Sequence, residues 1–244
     1  GVLSRGAVAV VAGFQGLSRG GCVTTLGRGG SDTSAVVLGA ALQADLVVFF
    51  KTVDSVFTAD PARVPGARKL AAICAEDLRQ MAWQGAKVVS PRAAEISLAS
   101  GVPIEVRSFD GGGTVTRVEP VTASCENYVV GVASGPDVAR VTVTGDAGDP
   151  CSFHSRVFGL VAAAGVSMDM FSVFGPTVVF TVPMEDAGRV EGILREAGFG
   201  CRTLGPCSKV SIVGAGMHGM KGVMARFSAA LTLVGVEMLQ TVDS

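Results

Sequence analysis

Apolar and polar positions fall along this chain in blocks that switch between strand and helix periods. Residues 7–12, Ala-Val-Ala-Val-Val-Ala, form a short apolar run closed by Gly13, the pattern of a buried strand leading into a turn. Residues 31–43 have helical composition, with Ser31 or Asp32 as the natural N-cap. Residues 46–50 form a second buried strand, 75–83 and 91–100 read as helices, and 103–107 as a short strand. That alternation predicts an α/β sheet with parallel members.

From Asp110 the texture changes. Three glycines at 111–113 and a polar stretch at 119–126 mark a boundary. Beyond it the periods predict strand (138–144), helix (153–164), strand (166–173), strand (177–182) and helix (186–197), the ferredoxin-like βαββαβ plan. The plan starts again with a strand at 209–214, a helix at 221–233 and a strand at 236–241. The run 156–173, RVFGLVAAAGVSMDMFSV, is echoed by RFSAALTLVGVEMLQTV at 226–242, as an internal repeat would be. The second copy is about half complete at Ser244. Met168, Met170 and Met238 read as core fillers, and Trp83, in an apolar helical stretch, as a packing residue.

Composition narrows the classes of function. The 244 residues are 48% hydrophobic and 17% charged, with a mean hydropathy of +0.48, which excludes general disorder. Such an apolar balance points to surface covered by subunit contacts or by another segment. Net charge is −1 without a basic cluster, so a nucleic-acid partner is not expected. The best apolar run, 35–50, is interrupted by Gln43 and Asp45, and no membrane association is expected. Six cysteines without a CxxC pair read as reduced thiols of a cytoplasmic protein, or of a plastid protein that has lost a transit peptide. His154 and His218 lie far apart, and no metal site is expected.

The chemistry concentrates in residues 24–35, TTLGRGGSDTSA, a glycine-rich loop that opens a helix. Backbone N–H groups at a helix start attract anions, and glycine lets a ligand come close. Arg28 can fork onto a carboxylate or phosphate. A glycine-rich turn carrying a solvated arginine has the same local pattern.

The wider string is more specific. TTLGRGGSD (24–32), TADP (58–61), VPGARKL (64–70), GAK (85–87) and GVPIEVRS (101–108) resemble the aspartate kinase family in order and spacing. GFQG (13–16) fits upstream, and KVSIVGAGM (209–217) fits the family's regulatory tail. The resemblance implies residues 1–118 as the carboxy-terminal part of an amino-acid kinase domain. It implies a first ACT-like unit at 126–205 and an incomplete second at 206–244. The implied activity is transfer of the γ-phosphoryl group of ATP, with Mg²⁺, to the side chain of L-aspartate. By the same resemblance Arg28 holds a substrate carboxylate, Ser31 and Asp32 position the substrate, and Thr24 and Gly29 shape the pocket. Phe50, Lys51, Thr52, Phe57, Asp60, Arg63 and Lys87 are implied on the nucleotide side. Asp149, Val166, Asp169, Met170 and Thr241 are implied in binding lysine or threonine as effector, in a homodimer formed through ACT units. Asp169 also has the plain role of a solvated strand-edge carboxylate.

The chain departs from the family at several positions. The amino-terminal KFGG stretch, which supplies a lysine and a phosphate-cradling loop, is not in it. Thr52 stands for an aspartate, Ser55 for a glycine, Phe57 for a tyrosine, Ala62 for an arginine with Arg63 one place on, and Ser90 for a histidine. Pro150-Cys151 stands for Pro-Gly, which removes backbone freedom from that loop. A non-catalytic regulatory subunit and a paralogue that binds amino acids without phosphorylating them are the alternatives. The string 214–219, GAGMHG, matches a dinucleotide fingerprint with Glu237 as the ribose acid, but too few residues follow to complete that fold.

Overall fold

The computed structural model describes residues 3–111, 113–120, 129–145, 150–217 and 219–242. Two compact units appear. One comprises Gly1–Ser134 with Val210–Met220, the other Gly135–Lys209 with Lys221–Ser244.

In the first unit a short hairpin, β1 (Gln15–Leu17) and β2 (Val23–Thr25), precedes α1 (Gly30–Ala41). Helix α1 buries Gly30, Thr33, Val36 and Gly39, one stripe at a spacing of three. A Cβ on Gly39 would lie 2.4 Å from Val47 Cγ2, so glycine sets how closely the helix meets β3 (Val47–Lys51). A two-stranded ribbon follows, β4 (Val56–Phe57) with β5 (Lys69–Leu70). Then come β6 (Ala72–Cys74), α2 (Ala75–Trp83), α3 (Pro91–Ser100), β7 (Ile104–Ser108) and β8 (Thr116–Glu119). The main sheet runs β3-β7-β8-β6, with β3 parallel to β7, β6 parallel to β8, and β7 antiparallel to β8.

Local chemistry fixes α3 at both ends. Ser90 Oγ accepts from Ala93 N at 3.2 Å, Pro91 occupies the first turn, and Gly101 closes the helix at φ 75°. The core joins Val36, Phe49, Leu78, Met81, Ile104, Val106 and Val118. Each such fully buried aliphatic or methionine side chain contributes roughly 1.5–3 kcal/mol. Strand β9 (Gly131–Ser134) pairs antiparallel with residues 210–213, whose Val213 enters the same core.

The second unit has β10 (Val138–Thr144), α4 (Pro150–Ala163), β11 (Asp169–Phe174), β12 (Thr177–Pro183), α5 (Ala187–Glu196) and β13 (Gly200–Cys207). Its sheet order, β11-β12-β10-β13 with every pair antiparallel, is the ferredoxin-like arrangement. Ala139, Val141 and Val143 alternate inward from β10 to meet Phe153, Val157 and Val161 of α4 and Val190 and Leu194 of α5. After β14 (Val210–Val213) comes α6 (Val223–Leu233), which buries none of its residues. The fold is thus α/β with a parallel-containing sheet, plus a ferredoxin-like unit.

Several expectations are corrected. Residues 7–12 are not a strand, and Val8 and Val10 are 89% and 97% exposed. Among the described residues no backbone hydrogen bond ties this run to a neighbouring strand, so neither its polar backbone nor its valines are covered. Residues 236–241 form no strand either. They have strand composition but no ladder partner, and Met238 is 41% exposed rather than in a core. Met168 does pack against the second unit's core. Trp83 is 63% exposed and donates to Glu95 Oε1 at 3.1 Å, because α2 turns Leu78, Met81 and Ala82 inward instead. Residues 210–213, expected to open a second ferredoxin-like copy, pair with β9 in the first unit. Ala215 N there donates to the buried Asp77 Oδ1 at 2.6 Å.

Candidate functional site

The start of α1 gathers the residues singled out in the glycine-rich loop. The helix is entered through Gly29, at φ 77° and ψ 11°, with no side-chain cap. Neither Ser31 nor Asp32 is the N-cap, since the left-handed turn at Gly29 starts the helix earlier and places both residues in its first turn. Glycine is required at 29 on two grounds. The left-handed backbone disfavours a side chain, and a Cβ would lie 2.4 Å from Ser90 Cβ. The loop is therefore seated directly against the start of α3.

Freed from capping, Asp32 reaches across to other elements. Its Oδ1 accepts from Lys51 Nζ at 2.6 Å and its Oδ2 from Ser90 N at 3.0 Å. The carboxylate is 14% exposed and Lys51 26% exposed, so the pair is largely shielded from water. Lys51 Nζ also lies 5.2 Å from the centroid of the Phe49 ring. Asp32 thus ties together the start of α1, the end of β3 and the start of α3.

Arg28 and Ser31 are exposed beside this junction, and among the described residues no hydrogen bond or ion pair engages the Arg28 guanidinium. Thr24 lies on β2, where its Oγ1 donates to Gly16 O at 3.2 Å, and the Leu26 N to Phe14 O bond holds the hairpin to the loop. Phe14 has φ 70°, and its N–H donates to Ser34 Oγ at 3.1 Å.

Just past Lys51 a cavity of about 320 Å³ is lined by Thr52, Val53, Asp54, Phe57, Pro61, Ser108 and Asp110. Asp54 is ion-paired with Lys69, and a Cβ on Gly113 would lie 2.4 Å from Asp54 Oδ2. Phe50, 53% exposed, stacks on Phe109 at a centroid distance of 6.2 Å. Ser55, where the family has glycine, is fully buried and donates to Thr114 O at 2.6 Å. Lys87 is exposed, and among the described residues it has no ion-pair partner. Asp60 and Arg63 are not in this cavity. Asp60 Oδ1 accepts from Ala62 N at 2.9 Å, and Arg63 Nη1 donates to Ser134 Oγ at 3.0 Å.

The structure thus brings Gly29, Asp32 and Lys51 together, sets Arg28 and Ser31 beside them, and lines a cavity with Thr52 and Phe57. The motifs assign no site role to Lys69, Ser108 or Asp110, and they mark Ser90 only as a departure from the family. Ser90 carried a signal, since a serine followed by proline is a helix start, but its contact with Asp32 is 58 residues away in sequence.

In the second unit, Asp169 is exposed and ion-paired with Lys209, so it has the character of a strand-edge carboxylate. Met170 has φ 45° beside a register shift in the β11–β12 pairing. Gln240 Nε2 donates to Met170 O at 2.5 Å. Val166 is buried in the core, Thr241 is exposed, and Asp149 lies outside the described residues.

Residues 1–108 match the amino acid kinase family. The chain is 39% identical to Aspartokinase 1 of Bacillus subtilis (strain 168), over 100% of this chain and 61% of that protein. The chain spans about three fifths of the length of the curated relatives it matches. The crystal structure of E. coli aspartokinase III in complex with aspartate and ADP superposes with a TM-score of 0.74. It is 25% identical, over 95% of this chain and 54% of that one. The same enzyme in complex with lysine and aspartate gives a TM-score of 0.67 and 27% identity, over 83% of this chain and 47% of that one.

Proposed function

This chain belongs to the aspartokinase family, and we propose that it forms the substrate-binding side and the regulatory region of an enzyme that phosphorylates L-aspartate with ATP. One observation carries the proposal. Gly29 and Asp32 seat a glycine-rich helix start against Lys51 and Ser90 N, with the exposed Arg28 next to it in the loop. Such a corner suits a dicarboxylic amino acid. Arg28 takes one carboxylate in a charge-assisted fork, and the backbone amides of the helix start attract anionic oxygen.

In the reaction a side-chain carboxylate oxygen of aspartate attacks the γ-phosphorus of ATP, the bond to the bridging oxygen breaks, and ADP leaves. The product is 4-phospho-L-aspartate, the first step toward lysine, threonine and methionine. The protein's task is positioning and charge neutralisation. Lys51 directly precedes the cavity lined by Thr52 and Phe57, which we assign to the nucleotide together with Phe50 and Lys87. Among the described residues no group of three or more His, Cys, Asp or Glu side chains could hold a metal ion. Magnesium would arrive on the nucleotide, coordinated mainly by phosphate and water. Residues 1–118 are assigned to the kinase part, 126–205 to a first ACT-like unit and 206–244 to an incomplete second.

The E. coli relative is described in complex with lysine as well as aspartate. We assign amino-acid regulation, by lysine or threonine, to the region of Asp169, Met170 and Thr241, in a homodimer formed through the ACT-like units. Among the described residues no helix is long and apolar enough to cross a membrane.

A second reading rests on one observation. Thr52, which lines the cavity assigned to the nucleotide, stands where the family has an aspartate, which fits a chain that binds aspartate without phosphorylating it. Hydroxylamine trapping separates the two. The chain, joined to the amino-terminal segment of a relative carrying the KFGG stretch, should yield aspartyl hydroxamate dependent on ATP. Aspartate binding without hydroxamate would establish the second reading.

A further inference from the structure

A second cavity, of about 310 Å³, lies in the first unit, away from the start of α1. Its walls come from Ala59 and Val64 on one side and from Val132, Ala133 and Val210 on β9 and β14. Val64, Val132 and Val210 are 44%, 38% and 45% exposed, so they present apolar surface to the groove. Two opposite charges and one hydroxyl complete the lining: Asp60, Arg63 and Ser134.

The charges are held in place. Arg63 N donates to Asp60 O at 3.0 Å, which makes the two residues the ends of one tight turn. The Asp60 carboxylate is fixed by Ala62 N, and the Arg63 guanidinium by Ser134 Oγ. Each keeps capacity for a ligand. Among the described residues no hydrogen bond or ion pair engages Asp60 Oδ2 or the Arg63 Nη2.

The chemistry of an occupant follows. A nucleotide is disfavoured, because phosphates would face the Asp60 carboxylate and apolar walls. An uncharged apolar molecule would leave both ionic groups unused. A zwitterion that carries its cation and anion on neighbouring atoms, with an aliphatic tail, satisfies the three features together. We propose that this groove binds an aliphatic α-amino acid of the size of valine or leucine. The ligand's carboxylate lies on Arg63 and its ammonium on Asp60, with the side chain against Val64, Val132 and Val210. Preset side chains reduce the ordering cost of such a complex. Neither Arg28 nor Asp169 lines the groove, and the ligand's side chain carries neither a charge nor a hydroxyl. The binding stands whether or not the chain supports phosphoryl transfer.

Titration calorimetry of the full chain tests it, with L-leucine and L-valine as probes. Saturable binding is expected. Arg63→Ala should weaken it about tenfold or more, as loss of a charge-assisted contact does. N-acetyl-leucinamide, which lacks both charges, should not bind. Val64→Trp, which fills the groove from an exposed position, should block binding without altering the thermal transition. Asp169→Ala should leave binding unchanged. No saturable heat with either amino acid, equal binding by Arg63→Ala, or loss in Asp169→Ala alone would each overturn the assignment.

Discussion

The Asp32–Lys51 pair should be energetically coupled well beyond an ordinary surface ion pair. Exposed pairs are typically worth about 0.2–1 kcal/mol, and breaking a buried one costs about 3–5 kcal/mol. Here the side chains are 14% and 26% exposed at 2.6 Å, so the pair sits between those limits. A coupling of about 1–2 kcal/mol is expected. Asp32→Asn isolates it, because the amide oxygen can still accept from Ser90 N while the charge is lost. Asp32→Ala removes both partners, and the loss should rise to about 3 kcal/mol, since Ser90 N then loses its charged acceptor. The assay is urea unfolding of the parent, Asp32→Asn, Lys51→Met and the double variant. Trp83, the single tryptophan, lies on α2 in the same unit and supplies the fluorescence signal. A coupling below about 0.3 kcal/mol, within the usual additivity error of such cycles, would refute the claim that Asp32 clamps the three elements.

Other outcomes follow from the same geometry. Gly29→Ala should destabilise the first unit by about 1–3 kcal/mol, since it adds a clash with Ser90 to a left-handed backbone; a melting temperature equal to the parent's would contradict this. The hydrogen bond from Arg79 holds the Glu76 carboxyl below its ordinary value, against a smaller opposing effect of burial. A lowered folded value adds stability above the ordinary glutamate range and loses it as the pH falls through the folded value. Glu76→Gln should therefore narrow its deficit relative to the parent in acid urea melts, and a deficit independent of pH would exclude the mechanism. Light scattering at micromolar concentration should show a dimer that lysine or threonine stabilises; a monomer unchanged by either would remove the regulatory half of the proposal.

Much of the fold was legible because its cause is local. Strand β10 alternates apolar and polar residues from Ala139 to Thr144, and the helices at 75–83 and 91–100 carry their own start and stop signals. The order of strands and helices then pointed to an α/β sheet followed by a ferredoxin-like unit. The failures lie where a neighbour decides. Residues 7–12 and 236–241 have strand composition, but a strand exists only with a partner for its backbone. Trp83 is apolar in type, yet the phase of α2 turns it to solvent. The glycine-rich loop was legible from its residue types. The junction of Asp32 with Lys51 and Ser90 was not, because it joins residues 19 and 58 positions apart. The contact of Arg63 with Ser134, 71 positions away, was likewise not legible in the motif.

The central claim is that the start of α1 binds aspartate, with one of its carboxylates held by Arg28. Calorimetric titration of L-aspartate and of ATP into the chain, before and after Arg28→Ala, tests it most directly. Aspartate affinity should fall about tenfold to a hundredfold, the value of one charge-assisted fork, while ATP affinity stays within about twofold. Undiminished aspartate binding by Arg28→Ala, or an equal loss for both ligands, would contradict the account.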